Sequence, residues 1–356
     1  MIRFSDPALV ADVTKVLALS ILAFVVAMLV TPPLAFVLYK YRFAKSIRSS
    51  GVPVFTSLHK KKEGTPTGGG VIIWATTAIL AFGLLVLATA TQSPTFQKLS
   101  FLSRSETLLP LGALVASAVV GLIDDYWDVR RFSPFGGGLR MRHRLLLYTA
   151  IAAFGAWWFF WKLGWDRIHI PALGDYIIGL WYVPLFLLVV VSTAFSVNEA
   201  DGLDGLAGGI LLFCFGAFAA IAFSKGLTDL AAFCAVIVGA LLAFLWFNVY
   251  PARFFMGDTG SMSLGVTLGI VAMLTNSALV LPIIGFPLVI ESLSVIVQIL
   301  SKKFRGKKVF QSTPIHHHFE ALGWPETKVT MRFWIVAAAS ASLGTILGIL
   351  GAGRIL

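Results

Sequence analysis

The chain has 356 residues, of which 58% are hydrophobic and only 13% charged. Roughly a quarter of a soluble domain is charged, so this composition excludes an ordinary soluble globular protein, and weak period-two alternation excludes an outer-membrane barrel. The formal net charge of +11 reads as basic loops on one membrane face; it is not the footprint of a nucleic-acid binder, and no nucleic-acid partner is expected.

Apolar runs long enough to span a bilayer recur from end to end, which predicts an all-α polytopic membrane protein. In chain order they give about ten spans: residues 16–39, 70–91, 107–124, 145–164, 177–197, 206–223, 229–248, 261–276, 279–301 and 333–352. The first has no small-residue cleavage site after it and reads as a retained helix. The break at Thr275-Asn276-Ser277 is short, and Pro282 and Pro287 are placed to kink the ninth span. Cys214 and Cys234 lie inside apolar runs and read as buried thiols. Trp157-Trp158-Phe159-Phe160-Trp161 and Trp181-Tyr182 suit an aromatic belt. With no repeat, linker or low-complexity tract, residues 1–356 are expected to form a single transmembrane domain.

The connections are unequal. Those at 40–69, 124–144 and 301–332 are long and basic, with Lys60-Lys61-Lys62, Arg130-Arg131, Arg140, Arg142, Arg144 and a run from Lys302 to Lys308. In this arrangement of spans they share one side. The Lys/Arg excess makes that side cytoplasmic and leaves both termini outside.

Every unusual polar cluster falls on the same side. Asp124 and Asp125, in "GLIDDYWD", are adjacent carboxylates at the end of a greasy helix. Two such charges resist joint ionisation unless a cation intervenes, and a hard ion such as Mg²⁺, held by one or two carboxylates plus phosphates, suits them. Simple capping of the membrane edge is the plainer alternative. Asn198, Asp201 and Asp204 lie in the glycine-punctuated "VNEADGLDGLAGG", where glycines permit close approach of backbone to a ligand. Asp258, in "FFMGDTGS" among apolar neighbours, suits metal binding. His316, His317 and His318 are consecutive and so point in different directions; this fits contact with an anion better than a closed zinc site. Lys62 precedes "GTPTGGG", a glycine-rich stretch without the order of a Walker loop. Glu291 and Gln298 share a face within the ninth span. Carboxylates, histidines and lysines at one interface suit a Mg²⁺-dependent phosphoryl-group reaction, and the membrane setting implies a lipid substrate.

These stretches together resemble the polyprenyl-phosphate N-acetylhexosamine-1-phosphate transferase superfamily, and within it the phospho-N-acetylmuramoyl-pentapeptide transferases. The resemblance runs from about Lys40 to Ile335 and rests on "KKKEGTPTGGG", "GLIDDY", "DGLDGLA", "FLWFNVYPARFFMGDTGS", "ESLSVIVQILSKKFRGKKVF" and, most specifically, "PIHHHFEALGWPE". It implies a multi-pass enzyme of the bacterial cytoplasmic membrane, a cytoplasmic active site, Mg²⁺ and a homodimer. The implied reaction joins UDP-N-acetylmuramoyl-pentapeptide to undecaprenyl phosphate, giving lipid I and UMP for peptidoglycan. On this sequence the family pattern makes Asp124, Asp125 and Asp258 catalytic, with Asp124 the candidate base and Asp258 the Mg²⁺ ligand. It places Lys62, Asn198, Asp201, Asn248, Phe255, Gln298 and His316 to His318 around the nucleotide-sugar, with Asp204 supporting that loop. The chain departs from the pattern at Gly69, Asp128, Phe195, Glu199 and Ala200. Glu199 adds an acid where the nucleotide-sugar is expected.

Three rivals weigh against this. A sibling transferase using UDP-N-acetylglucosamine for another envelope polymer lacks the "PIHHHFE" context. An intramembrane prenyltransferase needs a second aspartate-rich repeat. A transporter sets its ionisable groups at mid-membrane between repeats.

Overall fold

The long apolar runs fold into helices because a helix satisfies its backbone polar groups internally, as lipid requires. The computed structural model describes residues 6–44, 62, 64–104, 106–130, 132 and 138–350; Lys60, Lys61 and Arg131 lie outside the described residues. Helix α1 (Pro7–Lys40) starts at Asp6, whose side chain accepts from the Ala8 amide. Then come α2 (Val71–Thr91), a short α3 (Pro94–Leu99), α4 (Leu108–Arg130) and α5 (Met141–Trp157). A π-helical turn, Trp158–Lys162, extends α5. A small antiparallel hairpin follows, β1 (Arg167–Ile170) and β2 (Gly174–Ile177). The remaining helices are α6 (Tyr182–Ala200), α7 (Leu206–Ser224), α8 (Thr228–Asn248), α9 (Gly257–Leu274), α10 (Leu281–Ile284), α11 (Phe286–Arg305), α12 (Ile315–Ala321) and α13 (Glu326–Leu350).

Among the described residues, nine helices are long and apolar enough to cross a membrane. The expected ninth span is the one that falls outside this set. It is divided into α10 and α11, and α11 is polar on its inner face. Glu291, Ser292, Ser294, Gln298 and Ser301 are buried, while Leu293, Ile296, Ile299 and Phe304 are exposed. Its apolar side therefore faces outward and its polar side packs against protein, which lowers its average hydropathy without making it a soluble helix.

Helix α9 lies at the centre, buried along its whole length. It is built from Gly, Ser and Thr as much as from aliphatic residues. A Cβ at Gly265 would stand 2.7 Å from the Ala194 Cα, and one at Gly269 would stand 2.9 Å from the Val190 Cα. Gly265 and Gly269 thus form a small-xxx-small face that lets α6 come into backbone contact. On the other flank, a Cβ at Gly121 of α4 would meet the Asp258 carbonyl carbon at 2.6 Å and the Thr259 Cα at 2.7 Å. So α4, α9 and α6 are drawn together by missing side chains, and their polar ends are drawn together with them.

The C-terminal ends of α1, α4, α6, α8 and α11 and the N-terminal ends of α2, α5, α7, α9 and α13 lie at one end of the bundle, where bonds such as Lys62 to Asp204, Arg144 to Asn198 and Gly205 to Asn248 join them. The opposite end carries the hairpin, fastened to the end of α9 by the His169 amide donating to Asn276 Oδ1 at 3.0 Å; at the same end Lys225 Nζ donates to the Thr275 carbonyl at 2.6 Å. Exposed Trp161 and Trp181 lie at that end, as an interfacial belt requires. Cys214 and Cys234 are buried and unbridged.

Candidate functional site

The first turn of α9 is the foundation of the polar end. Gly257 has a φ of +75°, which favours glycine, and a Cβ there would meet Asp125 Oδ2 and Thr67 Oγ1, each at 2.6 Å. The space is used by Asp125, which is fully buried. Its two oxygens accept from the Asp258 and Thr259 amides at 3.0 Å each. A carboxylate on exposed helix N–H groups is electrostatically favoured. The "DD" pair is therefore split. Asp125 caps α9, and Asp124 turns the other way, to Arg144.

Asp124 meets an arginine. Arg144, in the first turn of α5, donates from Nε to Asp124 Oδ2 at 2.9 Å, from one terminal nitrogen to Asn198 Oδ1 at 3.1 Å, and from the other to Asp258 Oδ2 at 3.0 Å. Asn198 closes the ring by donating to Asp258 Oδ1 at 2.8 Å and to Ser261 Oγ at 3.1 Å. The Asp124 side chain is 0% exposed and that of Asp258 5%. Four helices thus contribute to one junction: α4 gives Asp124, α5 Arg144, α6 Asn198 and α9 Asp258. Sequence reasoning counted Arg144 only as loop charge. The signal was its place in the first turn of a helix that begins at Met141, because an arginine at the end of a span faces protein far more often than lipid.

A second cluster sits beside the first. Lys62 Nζ bonds Asp204 Oδ1 at 2.7 Å and Glu326 Oε1 at 2.5 Å, and the Asp204 amide donates to the same Glu326 oxygen at 2.7 Å. Asp204 Oδ2 also accepts from the Ala252 amide at 3.0 Å. Asn248 accepts from the Gly205 amide at 3.0 Å and donates to the Phe254 carbonyl at 2.8 Å. Lys62, Asp204 and Asn248 are thereby tied into a lattice of loops. Glu326, at the start of α13, completes it and was not singled out from the sequence. Phe255 is half-buried with Lys62 Nζ 5.8 Å from its ring centroid. Asp201 is half-buried where the polypeptide leaves α6.

The histidine run folds as the short helix α12, and the three rings diverge. His316 Nδ1 is 2.9 Å from Glu291 Oε2, His317 Nδ1 is 2.7 Å from Glu320 Oε2, and His318 Nδ1 accepts from the Gln311 amide at 3.2 Å. Burial, with His316 alongside, holds the His317 pKa down at about 4. A Cβ at Gly202 would collide with His316 Nε2 and stand 3.3 Å from His317 Nε2, so the glycine loop is pressed against both rings. Gln298 is occupied inside the α11–α12 loop: its oxygen accepts from Val309 at 2.9 Å and Phe310 at 3.1 Å, and its nitrogen donates to the Phe310 carbonyl at 2.9 Å. Among the departures from the family pattern, Gly69 leaves room for Phe254, whose Cε2 would lie 2.9 Å from an added Cβ. Asp128 is half-buried on α4. Glu199 is half-buried in the fields of Glu291 and Arg144.

The described residues include no group of three or more His, Cys, Asp or Glu side chains set to hold a metal. Mg²⁺ does not need one, since it is commonly held by one or two carboxylates, waters and substrate phosphates. Asp258 and Asp124, both bonded to Arg144, are two carboxylates of the type such an ion uses.

A family profile described as "Glycosyl transferase family 4" matches residues 107–276, the stretch from α4 to α9 that holds Asp124, Arg144, Asn198 and Asp258. A phospho-N-acetylmuramoyl-pentapeptide-transferase of Chloroflexus aggregans is 36% identical over 355 residues, covering 96% of this chain and 92% of the relative. Proteins of the same name from Clostridium novyi (37% over 334 residues) and a Geobacillus species (38% over 326 residues) each cover 91% of the chain. Likeness at this level over nearly the whole length, with the motif residues meeting at one end of the bundle, assigns the chain to the phospho-N-acetylmuramoyl-pentapeptide-transferase family.

Proposed function

We infer that this multi-pass membrane enzyme transfers phospho-N-acetylmuramoyl-pentapeptide from its UDP derivative to undecaprenyl phosphate, giving lipid I and UMP in peptidoglycan synthesis. The observation that carries the reading at the level of chemistry is the Arg144 junction, where Asp124, Asn198 and Asp258 converge from separate helices. In the reaction an oxygen of the lipid phosphate attacks the sugar-bearing phosphorus of the nucleotide, and the bond to UMP breaks. One phosphoanhydride replaces another, so the enzyme needs chiefly to position the groups and neutralise their charge.

Asp258, with the Asp124 carboxylate nearby, would hold Mg²⁺, which when bound would neutralise phosphate charge. Asp124 is the residue placed to hold or remove a proton at the lipid phosphate. Asp125 acts through the α9 backbone, fixing where Asp258 stands. The loop from Asn198 to Gly205, with Phe255, His316, His317 and His318 around it, receives the nucleotide-sugar; Lys62, Asp204, Asn248 and Gln298 hold the surrounding loops in place. The basic residues at the site's end of the bundle set that end in the cytoplasm and both termini outside. The chain works as one membrane domain and, by family likeness, as a homodimer.

UMP release is the test. Purified protein in detergent with Mg²⁺ and undecaprenyl phosphate is offered UDP-N-acetylmuramoyl-pentapeptide or UDP-N-acetylglucosamine. Release with the first alone is expected. Release with the glucosamine nucleotide alone would overturn the reading and assign the altered loop at Phe195, Glu199 and Ala200 a change of sugar.

A further inference from the structure

At the junction of Asp124, Asn198 and Asp258 one positive charge already stands between two carboxylates, and the protein itself supplies it. Arg144 has five N–H donors, and the three acceptors around it take one each. Asp258 is engaged on both oxygens, Oδ2 by Arg144 and Oδ1 by Asn198. Asp124 is similarly engaged, Oδ2 by Arg144 and Oδ1 by the Leu139 amide. A divalent ion bridging these two carboxylates would stand against the guanidinium, and like charges a few ångströms apart in a buried site repel strongly. Two buried carboxylates with no cation at all are no better, since uncompensated charge there costs several kcal/mol. A cation at the junction, whether the guanidinium or a metal ion, relieves that cost.

We propose that Arg144 is a built-in counter-cation: it holds the Asp124–Asp258 junction in the metal-free protein, and on arrival of a divalent ion moves off the carboxylates onto a phosphate of the substrate. This rests on the metal-site reading given above. Arg144 is suited to the exchange because its planar fork matches a carboxylate or a phosphate equally well. It sits on α5, a helix separate from those bearing both carboxylates, so its side chain can leave without disturbing the capped α9 turn. The ion then enters a cage that is already shaped, and the positive charge it displaces goes to the group carrying the most negative charge. In this role Arg144 is a positioning residue with a charge-balancing duty.

The test reads metal affinity, not turnover. Mn²⁺ is titrated into purified wild-type, Arg144→Gln and Arg144→Lys proteins in detergent without substrate, and free Mn²⁺ is followed by its paramagnetic resonance signal. Arg144→Gln is expected to bind Mn²⁺ at least about tenfold more tightly than wild type, since a buried like charge is removed. Arg144→Lys, whose single ammonium cannot fork to three acceptors, is expected to bind a few-fold more tightly, and it carries the test if the glutamine variant does not fold. Adding UDP should raise wild-type Mn²⁺ affinity more than that of Arg144→Gln. Unchanged or weaker Mn²⁺ binding in the substituted proteins would overturn the proposal. So would wild-type binding in Asp258→Asn, because the ion would then sit elsewhere. Failure of the transferase reading itself shows separately, as absence of UMP release by wild type.

Discussion

Asp124 and Asp258 are joined through a single guanidinium: Arg144 reaches Asp124 Oδ2 at 2.9 Å and Asp258 Oδ2 at 3.0 Å. The two carboxylates come from different helices, so their joint geometry depends on α4 and α9 staying in backbone contact at Gly121. Replacing Asp258 by Asn keeps size and most hydrogen bonding but removes the charge. Turnover is expected to fall at least about a hundredfold, in line with loss of a main electrostatic stabiliser, while thermal unfolding stays near wild type. UMP release and a melting curve on the same preparation check it. Preserved turnover would dismiss Asp258 as a metal ligand.

Asp125 is expected to behave differently. Alanine removes the cap on the Asp258 and Thr259 amides, costing about 1–2 kcal/mol on the usual scale for a helix cap. Asparagine keeps an acceptor and should recover much of the stability. Activity should follow stability across Asp125→Ala and Asp125→Asn, which is the signature of a residue acting through backbone position. An Asp125→Asn protein that melts like wild type and makes no UMP would show a direct chemical role instead.

Lys62 bridges Asp204 and Glu326 with little exposure, 15%, 3% and 11% for the three side chains. Methionine at 62 leaves two carboxylates facing each other and is expected to destabilise by about 3 kcal/mol, as when one partner of a buried pair is removed. Adding Glu326→Gln to Lys62→Met should restore part of that loss. Unfolding measured on the single and double variants decides, and a Lys62→Met protein of undiminished stability would return Lys62 to a purely substrate-binding role.

His317 supplies a pH dependence. Its pKa in the folded protein lies at about 4, below the ordinary value of 6.5, so the unfolded chain binds the proton more tightly. The stabilising contribution is complete above pH 6.5 and falls as pH drops from there toward 4. Melting temperature should therefore decline over that window, and the decline should be shallower in His317→Gln. Equal slopes in the two proteins would contradict the assignment.

Close helix contact is testable at Gly265, against which Ala194 lies. Leucine there must push α6 away from α9, with an expected cost of about 1–3 kcal/mol for overpacking. Because α6 carries Asn198 and α9 carries Asp258, turnover should drop even at temperatures where the protein stays folded.

Much of this was legible in the chain. Nine of the ten expected spans fall on helices long and apolar enough to cross a membrane, since lipid admits few alternatives to an apolar helix of set length; the helices run beyond the expected limits at residues 16, 124 and 333, where polar residues continue the helix past the apolar run. The exception is α11: the sequence reads as a ninth span at 279–301, and the inward-turned face of Glu291 and Gln298 leaves its helix outside the set apolar enough to cross. The motif residues were legible as a set, since small and charged residues stand out sharply against an apolar background. Their individual duties were not. Nothing in "DD" says that Asp125 will cap α9 while Asp124 turns to Arg144, and nothing in "HHH" gives His316 to Glu291 and His317 to Glu320.

Sequence by itself determined that the protein is a bundle of membrane helices with its chemistry at one end, because hydrophobic run length and charge placement act locally and one segment at a time. Tertiary structure alone decided which charges meet. Arg144, Asp124, Asn198 and Asp258 are as many as 134 residues apart in the numbering, and they come together only because glycines on α4 and α9 let three backbones touch. That contact depends on the shapes of packed surfaces, which no single segment contains.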